Sequence, residues 1–331
     1  MNILITGGAG YIGSNVALLL LDKGHKVTVV DNLVTGSKEI IPKKANFLNS
    51  DISDKQKISE LLKKNKFDLV MHFAGLVKVE ESFKFPEKYN LYNVDKAKTF
   101  IDCCVESGLN KIIFSSTAGV YGKSKDGRVT EDDILEPLNP YAKTKLEIEK
   151  YLTNLSKNNK IKTIILRYFN VAGADKEERS GMIIKKSNNL IKAVCEFALK
   201  KRDNFIVNGD DYETKDGTPV RDFIHVTDLA DIHLITANYL LQELKSDIFN
   251  CGYSQGYSVL DVINEIEKII KQKLNYNIGP RRDGDIPTSI ADTKKFKEKF
   301  NWHPKHNSLN YILKTALNWE KKYKWVLKCF K

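Results

Sequence analysis

The chain has 331 residues, 42% hydrophobic and 29% charged, which suits a soluble globular protein with one large α/β unit or two apposed lobes. Its net charge is +11, but the lysines are scattered in pairs such as Lys63-Lys64, Lys200-Lys201 and Lys321-Lys322, without a basic run interleaved with aromatics. Nucleic acid is therefore not an expected partner, and the positive balance suits a small anionic ligand.

A short apolar run over 2–5 breaks at Thr6 into a turn with Gly7, Gly8, Gly10 and Gly13, and an apolar-periodic helix begins at Tyr11. Strand, glycine turn and helix in this order let the backbone approach a pyrophosphate, with the helix N-terminus aimed at it. A tight strand-to-helix turn without a ligand would carry the same residues. A second strand over 26–30 ends at Asp31-Asn32, with Asp31 18 residues beyond Gly13. That is close to the spacing of about 20 at which a carboxylate meets the adenosine ribose, and it favours NAD over NADP. The alternative is a strand-end Asp that starts a turn.

Strands near 46–48, 69–72, 111–115 and 162–166 then alternate with helices near 55–64, 87–107 and 140–156. Such alternation predicts parallel pairing and right-handed crossovers, a doubly wound (Rossmann) sheet with ligands at the carboxyl ends of its strands. Beyond about residue 172 come longer loops and helices near 182–201, 227–241, 258–271 and 308–322, Ser258 and Asp261 making a capping-box start. The expected division is a dinucleotide-binding domain over 1–171, completed by about 226–250, and a smaller α/β lobe over 172–225 and 251–331. The first strand begins at residue 2 and no apolar run reaches the ~18 residues of a membrane span, so no membrane partner and a cytoplasmic location are expected. The five cysteines, Cys103, Cys104, Cys195, Cys251 and Cys329, lack paired metal spacing and read as reduced thiols, so no metal is expected.

The chemistry is concentrated after the fifth strand, where Ser115-Ser116-Thr117 precedes Tyr141 and Lys145. Tyr and Lys four residues apart share a helix face. The ammonium is expected to lower the phenol pKa from about 10, and Thr117 to hydrogen-bond a substrate oxygen. Together they make a general base for an alcohol carbon that gives hydride to a nicotinamide. A structural helix pair is the alternative for Tyr141 and Lys145 taken alone.

Gly7 to Gly13, Asp31-Asn32-Leu33, Asp51-Ile52, His72 to Leu76, Asn93-Val94, Ser115 to Gly122, Tyr141 with Lys145, Arg167 to Asn170, Asp216 to Thr218, Val220 to Val226 and Pro280 to Pro287 recur here in order. On these residues the chain resembles the extended short-chain dehydrogenase/reductases, most specifically the UDP-glucose (UDP-galactose) 4-epimerase family, over nearly its whole length. The resemblance implies that Gly7, Gly10, Tyr11, Ile12, Gly13, Asp31, Asn32, Asp51, Ile52, Phe73, Ala74, Gly75, Asn93 and Lys145 hold NAD, with Phe169 near the nicotinamide. It implies that Asn170, Asn189, Leu190, Arg221, Arg282 and Asp285 hold a UDP-sugar, with Ile206 and Val207 beside the uracil and Thr117 and Tyr141 at the sugar. It also implies a homodimer through the helices over 87–107 and 140–156. The forked, always charged arginines suit a diphosphate, although Arg221 could instead pair with Asp222 or another acid.

The sequence departs from the family at Val77, where Lys is common and Lys78 follows, and at Asn208, where an aromatic is common beside the uracil. Ser289 stands at the position of the family's gate on the sugar pocket, where a small residue is associated with N-acetylated sugars. Thr117 is followed by Ala118 and Gly119, not by the acidic pair of a 4,6-dehydratase. A 4-epimerase of UDP-glucuronate or a UDP-pentose, and a non-catalytic NAD sensor on the same fold, remain the rival readings.

Overall fold

The computed structural model describes residues 1–326 except Lys125, Lys185, Lys186 and Asp283, with the backbone alone for 323–326. Cys329, and Asp283 of the motif from Pro280 to Pro287, lie outside the described residues. In chain order the strands are β1 (Asn2–Thr6), β2 (Lys26–Asp31), β3 (Asn46–Asn49), β4 (Leu69–His72), β5 (Lys111–Thr117), β6 (Arg128–Val129), β7 (Lys162–Tyr168), β8 (Asn170–Ala172), β9 (Ile206–Asn208), β10 (Val220–His225), β11 (Asp247–Cys251), β12 (Gly256–Ser258), β13 (Asn277–Gly279) and β14 (Thr288–Ala291). The α-helices are α1 (Tyr11–Asp22), α2 (Lys55–Lys64), α3 (Val79–Lys84), α4 (Pro86–Asn90), α5 (Lys96–Glu106), α6 (Pro140–Lys157), α7 (Leu190–Ala198), α8 (Val226–Glu243), α9 (Val259–Ile270), α10 (Lys294–Phe300) and α11 (Leu309–Val326).

The chain forms two compact units, residues 1–122, 131–168 and 230–249 in the first and 123–130, 169–229 and 250–331 in the second. The expected boundary at 171 falls at 168. Residues 123–130 belong to the second unit because β6 pairs in parallel with β14, Ile290 opposite Arg128.

The first unit is built on a seven-stranded sheet in the order β11-β7-β5-β4-β1-β2-β3. Strand β1 lies between its two parallel neighbours, Ile5 opposite Val29 on one side and Met71 on the other. The direction of strand order therefore reverses at β1, which opens a crevice at its carboxyl end. Strands buried on both faces read as unbroken apolar runs, and Ile3, Leu4 and Ile5 are fully buried. Helices α2, α5 and α6 cover one face through Ile58, Phe100, Ile101, Ile148 and Leu152.

Two expected helices differ in the structure. The span expected as one helix over 87–107 is α4, a single π-helical turn (Leu91–Asp95) and α5. Of the helix expected over 182–201, in which Lys185 and Lys186 lie outside the described residues, the described part is helical only in α7, and two of the carbonyls ahead of it bond side chains. Met182 O accepts from Trp319 Nε1 and Lys192 Nζ, and Ser187 O from Arg202.

In the second unit β10 is flanked by antiparallel β12 and parallel β14, and β8 also pairs with β10 in parallel. Helix α11 packs on α7 and α9. Helix α9 starts in the expected capping box: Ser258 Oγ accepts from Asp261 N at 3.0 Å and the Asp261 carboxylate from Ser258 N at 2.9 Å.

Candidate functional site

The glycine turn after β1 is tied on by Gly7 N–H to Val30 O at 2.9 Å and Gly10 N–H to Gly7 O at 3.1 Å. Gly7 has φ +73°, and a Cβ there would stand 2.5 Å from Ala74 N. A Cβ at Gly13 would stand 2.5 Å from Gly7 O. Only glycine permits this close passage of backbone over backbone. Gly10 is the N-cap of α1 with no side-chain cap hydrogen bond, so the glycine turn leads directly into the positive end of the helix dipole. Tyr11 and Ile12 are half-buried. A cradle without side chains at a helix N-terminus fits the pyrophosphate of a dinucleotide.

Asp31 braces this cradle as well as facing its end: its carboxylate accepts from Ala9 N at 3.0 Å and Leu33 N at 2.8 Å. Burial pushes its pKa up, partly offset by these two bonds, and each oxygen keeps a lone pair for a hydroxyl. After β3, Asp51 accepts from Lys96 at 2.6 Å, Ser53 Oγ at 2.7 Å and Asn32 at 3.1 Å. Burial raises its pKa, but these donors outweigh burial and hold it at about 2. Ile52 beside it is buried. After β4, Phe73, Ala74 and Gly75 are half-buried. The next residue, Leu76, exchanges two hydrogen bonds with the Asn93 amide, N–H to Oδ1 at 2.7 Å and Nδ2 to O at 3.0 Å. The second Nδ2 proton goes to Thr144 Oγ1 on α6 at 3.1 Å. Asn93, expected at the cofactor, also clamps the β4 loop to α6, and the π turn carries it. Val77, where the family often has Lys, is half exposed.

The carboxyl end of β5 meets the start of α6. Asn139 caps α6 by accepting from Ala142 N at 2.8 Å, and Pro140 follows at the first helical position. This start fixes which face carries Tyr141 and Lys145. Thr117 Oγ1 accepts from Gly119 N at 3.1 Å, which leaves its proton for the Tyr141 oxygen it hydrogen-bonds. Burial pushes the Tyr141 phenol up to about 12, with Thr117 drawing it down. The expected lowering by Lys145 is not met, because the ammonium donates to Ser115 O at 2.8 Å and lies over the Phe114 ring, 4.9 Å from its centroid. Burial also lowers Lys145, to about 8, while the Glu149 carboxylate raises it.

Behind this trio runs a buried network that sequence reasoning missed. Ser116 Oγ donates to Glu149, whose carboxylate takes Arg167 Nη2 at 2.7 Å, and Arg167 Nη1 donates to Tyr121 Oη at 2.9 Å and Glu131 O at 3.1 Å. The signal for Glu149 was its place four residues beyond Lys145, on the same helix face. Thr117, Tyr141 and Lys145 are therefore brought together on a rigid, charge-compensated base.

The second unit collects most of the residues expected to meet the sugar nucleotide. Phe169 is buried, and Asn170 donates to Asp222 O at 3.2 Å. Asn189 is the N-cap of α7, accepting from Lys192 N at 3.2 Å and donating to Val171 O at 3.3 Å, so Leu190 opens the helix. On β9, Ile206 is exposed and Val207 buried, and Asn208 bonds back to Ile206 O. The partner of Arg221 is Asp285, at 3.6 Å, and not Asp222, whose carboxylate is occupied by the N–H groups of Tyr253, Ser254 and Ala291. Asp285 also pairs with Arg282, at 3.0 Å. Burial, with Arg282 as a like charge, lowers Arg221 against the pull of Asp285. Ser289 on β14 stands opposite Arg221 in register and is half-buried. Among the described residues no group of three or more His, Cys, Asp or Glu could hold a metal, and no helix is long and apolar enough to cross a membrane.

The family profile described as the NAD dependent epimerase/dehydratase family matches residues 3–252. A UDP-glucose 4-epimerase of Azospirillum brasilense is 38% identical over 319 residues, 96% of this chain and 92% of that protein. The crystal structure of a UDP-glucose 4-epimerase from Stenotrophomonas maltophila, with bound NAD and formylated UDP-arabinopyranose, superposes with a TM-score of 0.95 at 33% identity, over 98% of this chain and 99% of that one. The UDP-Glc/GlcNAc 4-epimerase of Campylobacter jejuni superposes with a TM-score of 0.84 at 41% identity, over 97% and 99% of the two chains. The chain belongs to the NAD dependent epimerase/dehydratase family and, within it, to the UDP-glucose 4-epimerases.

Proposed function

We propose that the protein interconverts UDP-hexoses that differ in configuration at C4, with NAD as a retained cofactor. The observation that carries this reading is the Thr117–Tyr141–Lys145 constellation at the carboxyl end of β5, in the same sheet whose β1 leads into the glycine turn. The cradle of Gly7, Gly10 and Gly13, with Tyr11, Ile12, Asp31, Asn32, Asp51, Ile52, Phe73, Ala74, Gly75, Asn93, Lys145 and Phe169, would hold NAD. When bound, NAD supplies a hydride acceptor that returns the same hydride, so no second substrate is consumed. Tyr141 takes the proton of the sugar 4-OH and later returns it to the same oxygen, after the sugar has turned its other face toward the cofactor. Thr117 donates to the Tyr141 oxygen and favours its charged form, and the buried Lys145 ammonium supplies a positive charge one helical turn away. Asn170, Asn189, Leu190, Ile206, Val207, Arg221, Arg282 and Asp285 would grip the UDP part and leave the sugar free to turn.

The small Ser289 extends the substrate class to UDP-N-acetylhexosamines, in keeping with the likeness to a UDP-Glc/GlcNAc 4-epimerase. The family likeness also supports a cytoplasmic homodimer as the working form. Purified protein given UDP-glucose or UDP-N-acetylglucosamine and no added cofactor is expected to form the C4 isomer, read by chromatography of the nucleotide sugars. Tyr141→Phe is expected to lower turnover by roughly 10²–10⁴-fold while NAD stays bound. Wild-type protein that interconverts neither pair would overturn the assignment. Ser289→Tyr is expected to depress turnover of the N-acetylated pair far more than that of UDP-glucose; equal loss on both would remove Ser289 from specificity.

A further inference from the structure

Among the described residues of the second unit, one buried side-chain oxygen, the Tyr212 hydroxyl, lacks a hydrogen-bond partner. Tyr212 is 5% exposed. Leaving a buried hydroxyl unpaired is unfavourable, and a group kept this way calls for an explanation. Its placement is firmly set. Tyr212 N–H donates to Gly217 O at 2.9 Å and its carbonyl accepts from Thr214 N at 2.7 Å. The loop is closed by Thr214 Oγ1 to Thr218 O at 2.8 Å and by Asp216 bonding Thr218. The Arg281 guanidinium lies over the ring, 4.3 Å from its centroid, and is held there by Asp211. A Cβ on Gly209 would stand 2.7 Å from the ring edge, so the backbone presses against it.

The surroundings of the hydroxyl identify its missing partner. Among the described residues the charges that act most on the hydroxyl are Asp285, Arg281, Arg221 and Arg282. The Asp285 carboxylate is already shared by Arg221 and Arg282, and Arg281 is taken by Asp211. A neutral donor beside guanidiniums suits an anion with several acceptor oxygens, and a phenol donates well to phosphate oxygen. We propose that the Tyr212 hydroxyl is a further binding group of the sugar-nucleotide site, donating to the diphosphate alongside Arg221 and Arg282. The inference rests on the proposed function above and adds a residue to it. The fixed ring delivers a donor already ordered, so binding pays little for placing it.

Tyr212→Phe removes one oxygen and keeps the ring, its packing and the Arg281 contact. UDP is the probe, titrated calorimetrically into purified full-length protein, and the thermal midpoint of the unliganded protein is measured in parallel. The expected result is a UDP dissociation constant raised about ten- to hundredfold, the range for a hydrogen bond to a charged group, with the midpoint unchanged or higher. In turnover the change should appear in KM and spare kcat. Unaltered UDP affinity would overturn the inference, and so would weaker UDP binding accompanied by a lower midpoint, which marks a structural role. Wild-type protein that does not bind UDP at all would remove the proposed function itself, a failure distinct from either.

Discussion

Lys145 shows how one buried charge is governed by its neighbours. The residue is 4% exposed and its ammonium is bonded to Ser115 O. Burial lowers it to about 8 and Glu149 resists that fall. Its charge is complete below that value and is lost as pH rises through it, so turnover is expected to decline above pH about 8. In Lys145→Arg, whose charge persists, the alkaline limb should move to higher pH whatever the residual rate; a limb that stays near 8 would assign it to another group. Glu149 sits 3% exposed against Arg167 at 2%. Glu149→Gln leaves the guanidinium buried with one partner fewer and is expected to destabilise the protein by about 3–5 kcal/mol. Urea denaturation measures this, and a cost below about 1 kcal/mol would contradict the pairing. The Tyr–Lys spacing was legible in the sequence, but the Tyr141 phenol at about 12 was not. Spacing reports a shared face, whereas burial and the Ser115 carbonyl that claims the ammonium come from the assembled sheet.

Helices illustrate the same division between pattern and context. Helix α6 was legible because Asn139 and Pro140 are local start signals and their geometry is set within one turn. The π turn at Leu91–Asp95 was not, since its justification is the Asn93 bridge from Leu76 to Thr144, 17 residues away on one side and 51 on the other. The early start expected for α7 is likewise not met in the described residues, where Met182 and Ser187 give their carbonyls to Trp319, Lys192 and Arg202. Asn189 then does duty as the cap of α7. Asn189→Ala is expected to cost about 1 kcal/mol of stability, whereas Asn189→Asp keeps the capping oxygen, loses the donor to Val171 O and recovers part of that cost. If the Asp variant recovers stability yet binds UDP less tightly than wild type, the amide nitrogen serves the nucleotide. If both properties follow the cap, Asn189 acts through the helix alone.

Across the whole molecule the doubly wound sheet was readable because its central strands are buried on both faces and so are written as unbroken apolar runs. The short strands β6, β8, β9, β12, β13 and β14 of the second unit, two to four residues each, were not readable, since pairing across the chain and not local period makes them. Burial also dictates how the fold answers to acid. His72 lies under the glycine cradle, 1% exposed, its Nδ1 2.6 Å from Thr6 Oγ1 and its ring stacked with Phe100 and Phe114. Burial, aided by the Lys145 charge, lowers its pKa to about 3. The folded state therefore keeps His72 neutral where the unfolded chain, titrating near 6.5, takes up a proton. This contribution to stability is whole above pH about 6.5 and is lost progressively as pH falls from there toward 3. Between pH 7 and pH 5 it amounts to about 2 kcal/mol for this one group. His72→Gln keeps a polar partner for Thr6 and cannot titrate, so wild type should lose about that much more stability than the variant between those two pH values. Urea denaturation at pH 7 and pH 5 reads the difference, and parallel losses in the two proteins would mean that His72 is already charged in the folded state.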